Sequence, residues 1–346
     1  MGIWYCTRED VKSALDIQET ARNNAQVDRA IEAASRSVEK LCHRKFYPWT
    51  GTRYLDWPNF DYASSGRLWL DGDAELISLT TFVSGGATVA SSDYFLEPSD
   101  SGPPYDRIDI DRASSASLSS GDTAQRSVAL TGVFGYDNVT TKVADLDGGI
   151  NASVTSIVLN RTVGVGTLLV IGTERMLVTD RTFSTAGADL DVALTARASD
   201  DLVASSLLAA IPGEVIMIGS EKMLVVDVIS GSGVLVKRAW DGSALATHDM
   251  NDTIYAARTL TVERGVVGTT AASHLDGDDA YRQVFQGPIV QLTIAEAISQ
   301  IQQEGSGYAK TVSSGDSTRD LTGRGLGELR DRVYAQYARR GRTASV

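Results

Sequence analysis

The stretch GTERMLVTD, from Gly172 to Asp180, returns as GSEKMLVVD, from Gly219 to Asp227. The match extends upstream. Each copy is preceded by an Asp-Leu-Asp, at Asp145–Asp147 and Asp189–Asp191, and by an alternating, strand-like run. A second phrase is also written twice, as RAWDGSALATHDMND from Arg238 and RGVVGTTAASHLDGD from Arg264. In both, the histidine (His248, His274) stands ten residues after the arginine and the closing aspartate (Asp252, Asp278) fourteen. Agreement of both spacings marks a true internal repeat. The order is unusual: first phrase, first phrase, second phrase, second phrase. Tandem duplication alternates its phrases. Two arrangements explain the order. In one, a complete module of about residues 211–257 is nested inside another that begins before Gly172 and resumes at Leu260. In the other, two incomplete modules complete each other across a pseudo-symmetric interface.

The repeat offers Glu174, Glu221, Arg238, His248, Arg264 and His274. A histidine with an aspartate four residues on suits a metal ligand or a general base. The same residues also serve as scaffold. A glutamate between Gly-Thr/Ser and Arg/Lys-Met at a strand turn satisfies backbone N–H groups, and a histidine fastens a turn or pairs with an acid or arginine of its own module. A site that recurs with its scaffold is better explained as scaffold, so these residues are expected to be structural, with no metal, no cofactor and no catalytic set.

Outward from the repeat, residues 137–286 carry no helical periodicity and more acidic than basic residues. They read as a β-rich insertion. On either side the pattern changes. Thr7 followed by REDVKSALDI has an N-cap and acidic residues in its first turn. In AQVDRAIEAASRSVEKLCHRKF, Val27, Ile31, Ala34, Val38 and Leu41 recur at helical spacing. From Thr52 to Tyr136 short alternating runs separated by SGG and SGPP read as antiparallel strands. Helical pattern returns at PIVQLTIAEAISQIQQEG, with Ile289, Leu292, Ala295 and Ile298 as its stripe. A Gly- and Ser-rich stretch, residues 304–320, then reads as a polar linker without fixed structure before docking. The last segment, LGELRDRVYAQYARRGRTASV, reads as a helix with Leu326, Leu329, Val333 and Tyr337 on one side. The expected fold is therefore α+β: a helical core with a small antiparallel β block, residues 1–136 and 287–346, and a large β-rich insertion, residues 137–286, containing the duplicated module.

The bulk figures agree with a folded chain. It has 346 residues, is 42% hydrophobic and 22% charged, and carries a formal net charge of −12. That sign disfavours a general DNA-gripping surface. Two cysteines, Cys6 and Cys42, make no disulfide framework and no zinc pattern. The start MGIWYCTRED lacks the basic head and apolar run of a signal peptide, and no apolar run is long enough to span a bilayer. Assembly in a cytoplasm is expected. There is no phosphate-cradling loop and no nucleophile elbow. GRGLGE at Gly323 follows a polar linker rather than a strand, and DLDGG and HLDGDD read as Asp-Gly turns rather than calcium loops.

The C-terminal segment is the basic part of an acidic chain. From Arg319 to Arg342 there are seven arginines against three acidic residues. Arg324, Arg330, Arg332, Arg339, Arg340 and Arg342 interleave with Tyr334 and Tyr337, a composition that favours an interface.

Residues 5–136 and 287–303 together resemble the head–tail connector (adaptor) proteins of long-tailed bacteriophages. YCTREDVKSALDI resembles the family's first helix and VDRAIEAASRSVEKLCHRKFYP its second. RLWLDGDAELISLTTFVSGGATVASSDYFLEP with RIDID resembles its strand block, and SVALTGVFGY the strand that closes it. In the family that strand leads into the next helix; here the insertion interrupts it. The resemblance implies a virion structural protein of the neck. It would form a ring of about twelve copies under the portal protein, extend the channel through which genomic DNA passes without sequence-specific binding, and dock a head-closure or tail-terminator protein. It implies that the basic tail reaches the portal and that the insertion projects from the ring as a decoration. No membrane is involved. Two rivals are a surface module recognising a glycan or a neighbouring virion protein through the β repeats, and a metal-dependent hydrolase using His248 and His274.

Overall fold

The computed structural model describes residues 2–15, 23–57, 66–70, 75–199, 201–206, 208–229, 233–305, 311–314, 317–320 and 324–339. The described residues form four α-helices: α1 (Arg8–Ala14), α2 (Asn24–Cys42), α3 (Gly287–Gly305) and α4 (Arg324–Tyr337). Thr7 caps α1 in a capping box with Asp10, and Asn23 caps α2. The stripe of α2 is buried at Val27, Ile31, Ala34 and Val38, while Leu41 at its end is half-buried and Cys42 beside it is buried. It packs with Trp4, Val11, Ala297 and Ile301 on one side, and with Ile289, Leu292, Val333 and Tyr337 on the other. The two ends of the chain thus share one core. On α3 the buried positions are Ile289, Leu292, Thr293, Glu296, Ala297 and Ile301. Ala295 and Ile298 of the expected stripe are only half-buried. The helix is wedged among α1, α2 and α4, and its buried face is wider than one stripe.

Strands β1 (Trp49–Leu55), β2 (Arg67–Trp69), β3 (Leu76–Ser84), β4 (Ala87–Val89), β5 (Tyr94–Glu97), β6 (Arg107–Ile110) and β7 (Val128–Phe134) follow α2. They form two sheets, β1-β7-β3-β4 and β2-β6-β5. Leu68, Leu70, Phe82, Ile108, Leu130 and Phe134 fill a core common to both.

Ten strands form a third sheet: β8 (Thr140–Asp145), β9 (Ser156–Val158), β10 (Leu168–Ile171), β11 (Glu174–Asp189), β12 (Leu202–Val203), β13 (Val215–Ile218), β14 (Glu221–Ile229), β15 (Gly233–Lys237), β16 (Thr253–Glu263) and β17 (Asp279–Gln283). Its pairing explains the repeat. One six-strand set runs β9, the second half of β16, the first half of β11, β10, β17, β8. The other runs β12, β15, β14, β13, the first half of β16, the second half of β11. Every strand has its counterpart. Leu168 faces Leu177 as Val215 faces Leu224. Asp279 faces Asp145 as Thr253 faces Asp189. Ile150 bridges His274 as Leu194 bridges His248.

The modules are therefore nested, and they share the long β11–β16 ribbon. In the inner module β14 returns to β15 through three residues, the last pair being Ile229 with Gly233. The matching pair in the outer module is Thr182 with Thr259. There, in place of three residues, the entire inner module is inserted. Each module has its own core. One is built on Leu146, Leu159, Ile171, Met176 and Leu260, the other on Leu190, Val203, Ile218, Met223 and Ile254.

The expectation of a helical core with a small β block is overturned. The chain is mostly β, 37% strand against 22% helix, and its largest element is the ten-stranded sheet. The β-rich segment accounts for this, since it is continuous sheet from end to end while helices are confined to the chain's two ends. Nor does the segment stand off from the rest. Val165 is buried among the residues of α1, α2 and α3, and Leu168 and Leu177 are buried with Ile3. Thr50 of β1 donates its N–H to Val267 O at 2.9 Å, and Arg175 donates to Thr50 Oγ1 and Asn138 Oδ1. The stretch read as an unstructured linker contains a hairpin, β18 (Thr311–Ser314) with β19 (Ser317–Asp320).

Candidate functional site

Each module fully buries a glutamate that is the first residue of a strand, just after a glycine turn. Gly172 and Gly219 have φ of 58° and 57°, the left-handed region open to glycine. The turn aims Glu174 at the first residue of β11 and Glu221 at the first of β14 into the module interior, where both are fully buried. Arg264 meets Glu174 in a two-pronged pair, Nε to Oε1 at 2.7 Å and Nη2 to Oε2 at 2.8 Å. Arg238 meets Glu221 at 2.7 and 2.8 Å. The N–H groups of Gly265 and Ala272 donate to Glu174, and those of Ala239 and Ala246 to Glu221, all at 2.9–3.1 Å. His274 and His248 each bring Nε2 to within 2.9 Å of the same Oε2. The arginines also donate to carbonyls, of Asn151, Val154 and Ala272 in one module and of Thr195 and Ala246 in the other.

Five hydrogen bonds on one carboxylate use its lone pairs fully. Burial pushes each carboxyl up, but hydrogen bonds from the arginine, the histidine and the backbone outweigh it, and both sit at about 2. The carboxylate is ionised, so the ring nitrogen facing it donates. Nδ1 of His274 and of His248 lies 3.9 Å from Asp278 and Asp252, beyond hydrogen-bond reach. Those aspartates instead accept the backbone N–H of Leu275 and Asp249 at 2.9 Å and close the turn. The two histidines do not converge: each is held on its own glutamate. Among the described residues no three His, Cys, Asp or Glu side chains group as a metal site. Burial pushes both thiols up, Cys42 to about 11 and Cys6 further, Asp10 adding to the effect on Cys6 and Arg44 opposing it at Cys42.

The basic tail is divided by α4. Val333 and Tyr337 face the core, and Tyr337 packs edge-on against Phe46 and Tyr136. Tyr337 is thereby a core residue rather than an exposed partner contact. Arg330 is spent on Glu296 at 2.7 Å, and the Arg339 N–H caps the Cys42 carbonyl. Arg332 and Tyr334 are exposed. Arg324 opens α4, while Arg340 and Arg342 lie outside the described residues.

The sequence reading missed the polar contacts that join the modules to each other, the modules to α1, and α1 to α2. Arg258 on the shared ribbon pairs with buried Glu214, which also accepts from Thr162 at 2.7 Å. Lys12 of α1 and Lys222 of β14 both hold Asp241, at 2.7 and 2.9 Å. Arg8 pairs with Asp28 and Arg181 with Glu9. One signal was present: Asp241 occupies the repeat position that is Val267 in the other copy, and both stand in the left-handed region, at φ 52° and 48°. That turn docks each module. Val267 docks on β1 through its carbonyl, and Asp241 docks on α1 through its charge.

No family model, curated protein or solved structure matches this chain.

Proposed function

We propose that the chain is a non-enzymatic assembly protein that works through docking surfaces, the role implied by its resemblance to phage head–tail connectors. The observation that carries this reading is the closure of the twin Glu-Arg-His clusters. Each gathers acid, base and cation in one place, and each carboxylate is buried and fully bonded within its own module. Such a cluster fixes a fold and leaves no group to bind a reacting atom. The exposed chemistry lies on α4, where Arg332 and Tyr334 face outward from a helix anchored by Val333 and Tyr337. A rigid helix offering one arginine and one tyrosine suits a protein partner.

In this reading the partners are the portal protein, a head-closure or tail-terminator protein, and further copies of the chain in a ring of about twelve at the virion neck. The acidic body suits passage of DNA without adhesion, since like charge resists binding. The glycan-binding alternative loses one of its aromatic candidates, because Trp240 is buried.

The test is to mix the full chain with portal rings encoded beside it and image the product by cryo-electron microscopy. A ring of this chain on the portal's lower face, contacting it through α4, is expected. Portal rings that stay bare at micromolar chain overturn the reading.

A further inference from the structure

The two modules differ in what covers the outer face of their central strands. In the outer module Leu168 and Leu177 are buried with Ile3, and Val266 and Val267 pack round them. The preceding Gly166 is the bed for Trp4: a Cβ there would stand 2.3 Å from the indole. The chain's own N-terminal segment thus lies across the module with two large apolar side chains, 5% and 1% exposed.

The inner module has the same surface. Val215 and Leu224 correspond to Leu168 and Leu177 in identical register. Gly213 corresponds to Gly166, each donating its N–H at 2.8 Å to the equivalent strand carbonyl, of Val225 and Val178. Trp240 and Asp241 correspond to Val266 and Val267. All five inner-module residues line a cleft of about 430 Å³ whose opposite wall is α1. A Cβ on Gly213 meets no described atom within 4 Å. Where the outer module is packed by Ile3 and Trp4, no described residue covers the equivalent groove of the inner one.

We propose that this groove docks an extended segment of a partner protein that lays a large apolar side chain on Gly213, as Trp4 lies on Gly166. The occupant's chemistry is read from the outer copy: the same strands, turn and glycine already receive an aromatic-bearing segment there. Charge does not select it. The rim's cations and acids are matched, Lys12 and Lys222 on Asp241 and Arg181 on Glu9. The anchor is apolar burial, the mode in which one large side chain in a pocket carries most of the affinity. A second copy of this chain is the poorer occupant, because its Ile3 and Trp4 are buried in its own outer module. The inference stands on the equivalence of the modules and does not rest on the connector reading.

The probe is an acetylated peptide of Gly2–Arg8, GIWYCTR, under reducing conditions, titrated against the full chain by saturation-transfer NMR read on the peptide's tyrosine ring protons, which the serine variant retains. The tethered N-terminus holds the outer site at high effective concentration, so the free peptide reports the inner one. Val226 lines the groove and is 57% exposed, so Val226→Trp fills it without entering a core. Binding is expected with the wild-type chain, weakened about tenfold or more by Val226→Trp and by replacing the peptide's tryptophan with serine. Leu275→Trp, at an exposed site in the outer module, should leave it unchanged. Absence of transfer at millimolar peptide, or equal affinity for the Val226→Trp chain or the serine peptide, overturns the proposal. So does concentration-dependent self-association abolished by Val226→Trp, which would make a second copy the occupant.

Discussion

At the scale of single residues the molecule turns on two carboxylates. Glu221 neutralises an arginine whose side chain has no exposed surface, and Glu174 one that is 6% exposed. Removing one partner of such a pair leaves a buried charge without compensation, at a cost of about 3–5 kcal/mol. Glu221→Ala is therefore expected to lower the urea midpoint strongly, and Glu174→Ala to do so somewhat less, because Arg264 is the nearer to water. Denaturation followed by circular dichroism checks both. The same carboxylates set an acid limit. Each is lowered from 4.5 to about 2 in the folded chain. Depressed values stabilise the native state fully above the unfolded value, and that contribution is lost as pH falls from about 4.5 towards 2. A series of urea midpoints from pH 6 to pH 2.5 should fall steeply over that window. A Glu174→Gln, Glu221→Gln chain should start lower and fall less. Equal slopes for the two chains would show that other groups govern acid unfolding.

At the scale of elements the nested modules make a sharper claim. Residues 183–258 can be replaced by Ser-Gly-Ser, joining Thr182 to Thr259, because the inner module already closes the equivalent pair, Ile229 and Gly233, with three residues. The excision removes Arg258 together with Glu214. It also takes Asp241 from Lys12, and with it the inner-module wall that Lys12 faces, so Lys12 is left to water. The shortened chain should fold, keep the Glu174–Arg264–His274 cluster, and show a single cooperative thermal transition by calorimetry. Removing residues 140–284 entirely should instead give insoluble protein, since Trp4, Val11 and Ile3 lose the cover of Val165, Leu168 and Leu177. Insoluble product from the smaller excision would show that the outer module needs the inner one. The duplication and the Arg–His–Asp spacing were legible in the sequence because they are written as identity at fixed intervals, but the inner module's extent was not: it takes in β12 and the second half of β11 and so begins near residue 183 rather than 211. The α2 stripe was legible for the same reason, as a period. The shared ribbon was not. Half of β11 belongs to one module and half to the other, and nothing in its sixteen residues marks the handover. The docking of the insertion was equally hidden, because it depends on Trp4 meeting a glycine 162 residues away, a pairing that leaves no local pattern.

At the scale of the whole molecule the question is which surface faces a larger assembly. The helical end joins both termini in one core, and α4 closes it with Val333 and Tyr337 inward. Its outward residues, Arg332 and Tyr334, make no ion pair or ring contact among the described residues and are exposed, so changing them costs the fold little, within about 0.5 kcal/mol. Arg330 differs, because its bond to Glu296 ties α4 to α3. An Arg332→Glu, Tyr334→Ala chain should keep the wild-type melting temperature while losing co-sedimentation with portal rings. The chain lacking residues 183–258 should keep that co-sedimentation, since the inner module and α4 share no core cluster. Arg330→Ala supplies the contrast: by loosening α4 it should lower both stability and binding. Loss of binding that always tracks loss of stability would reduce α4 to a structural prop. Binding lost at full stability would make its outer face the docking surface.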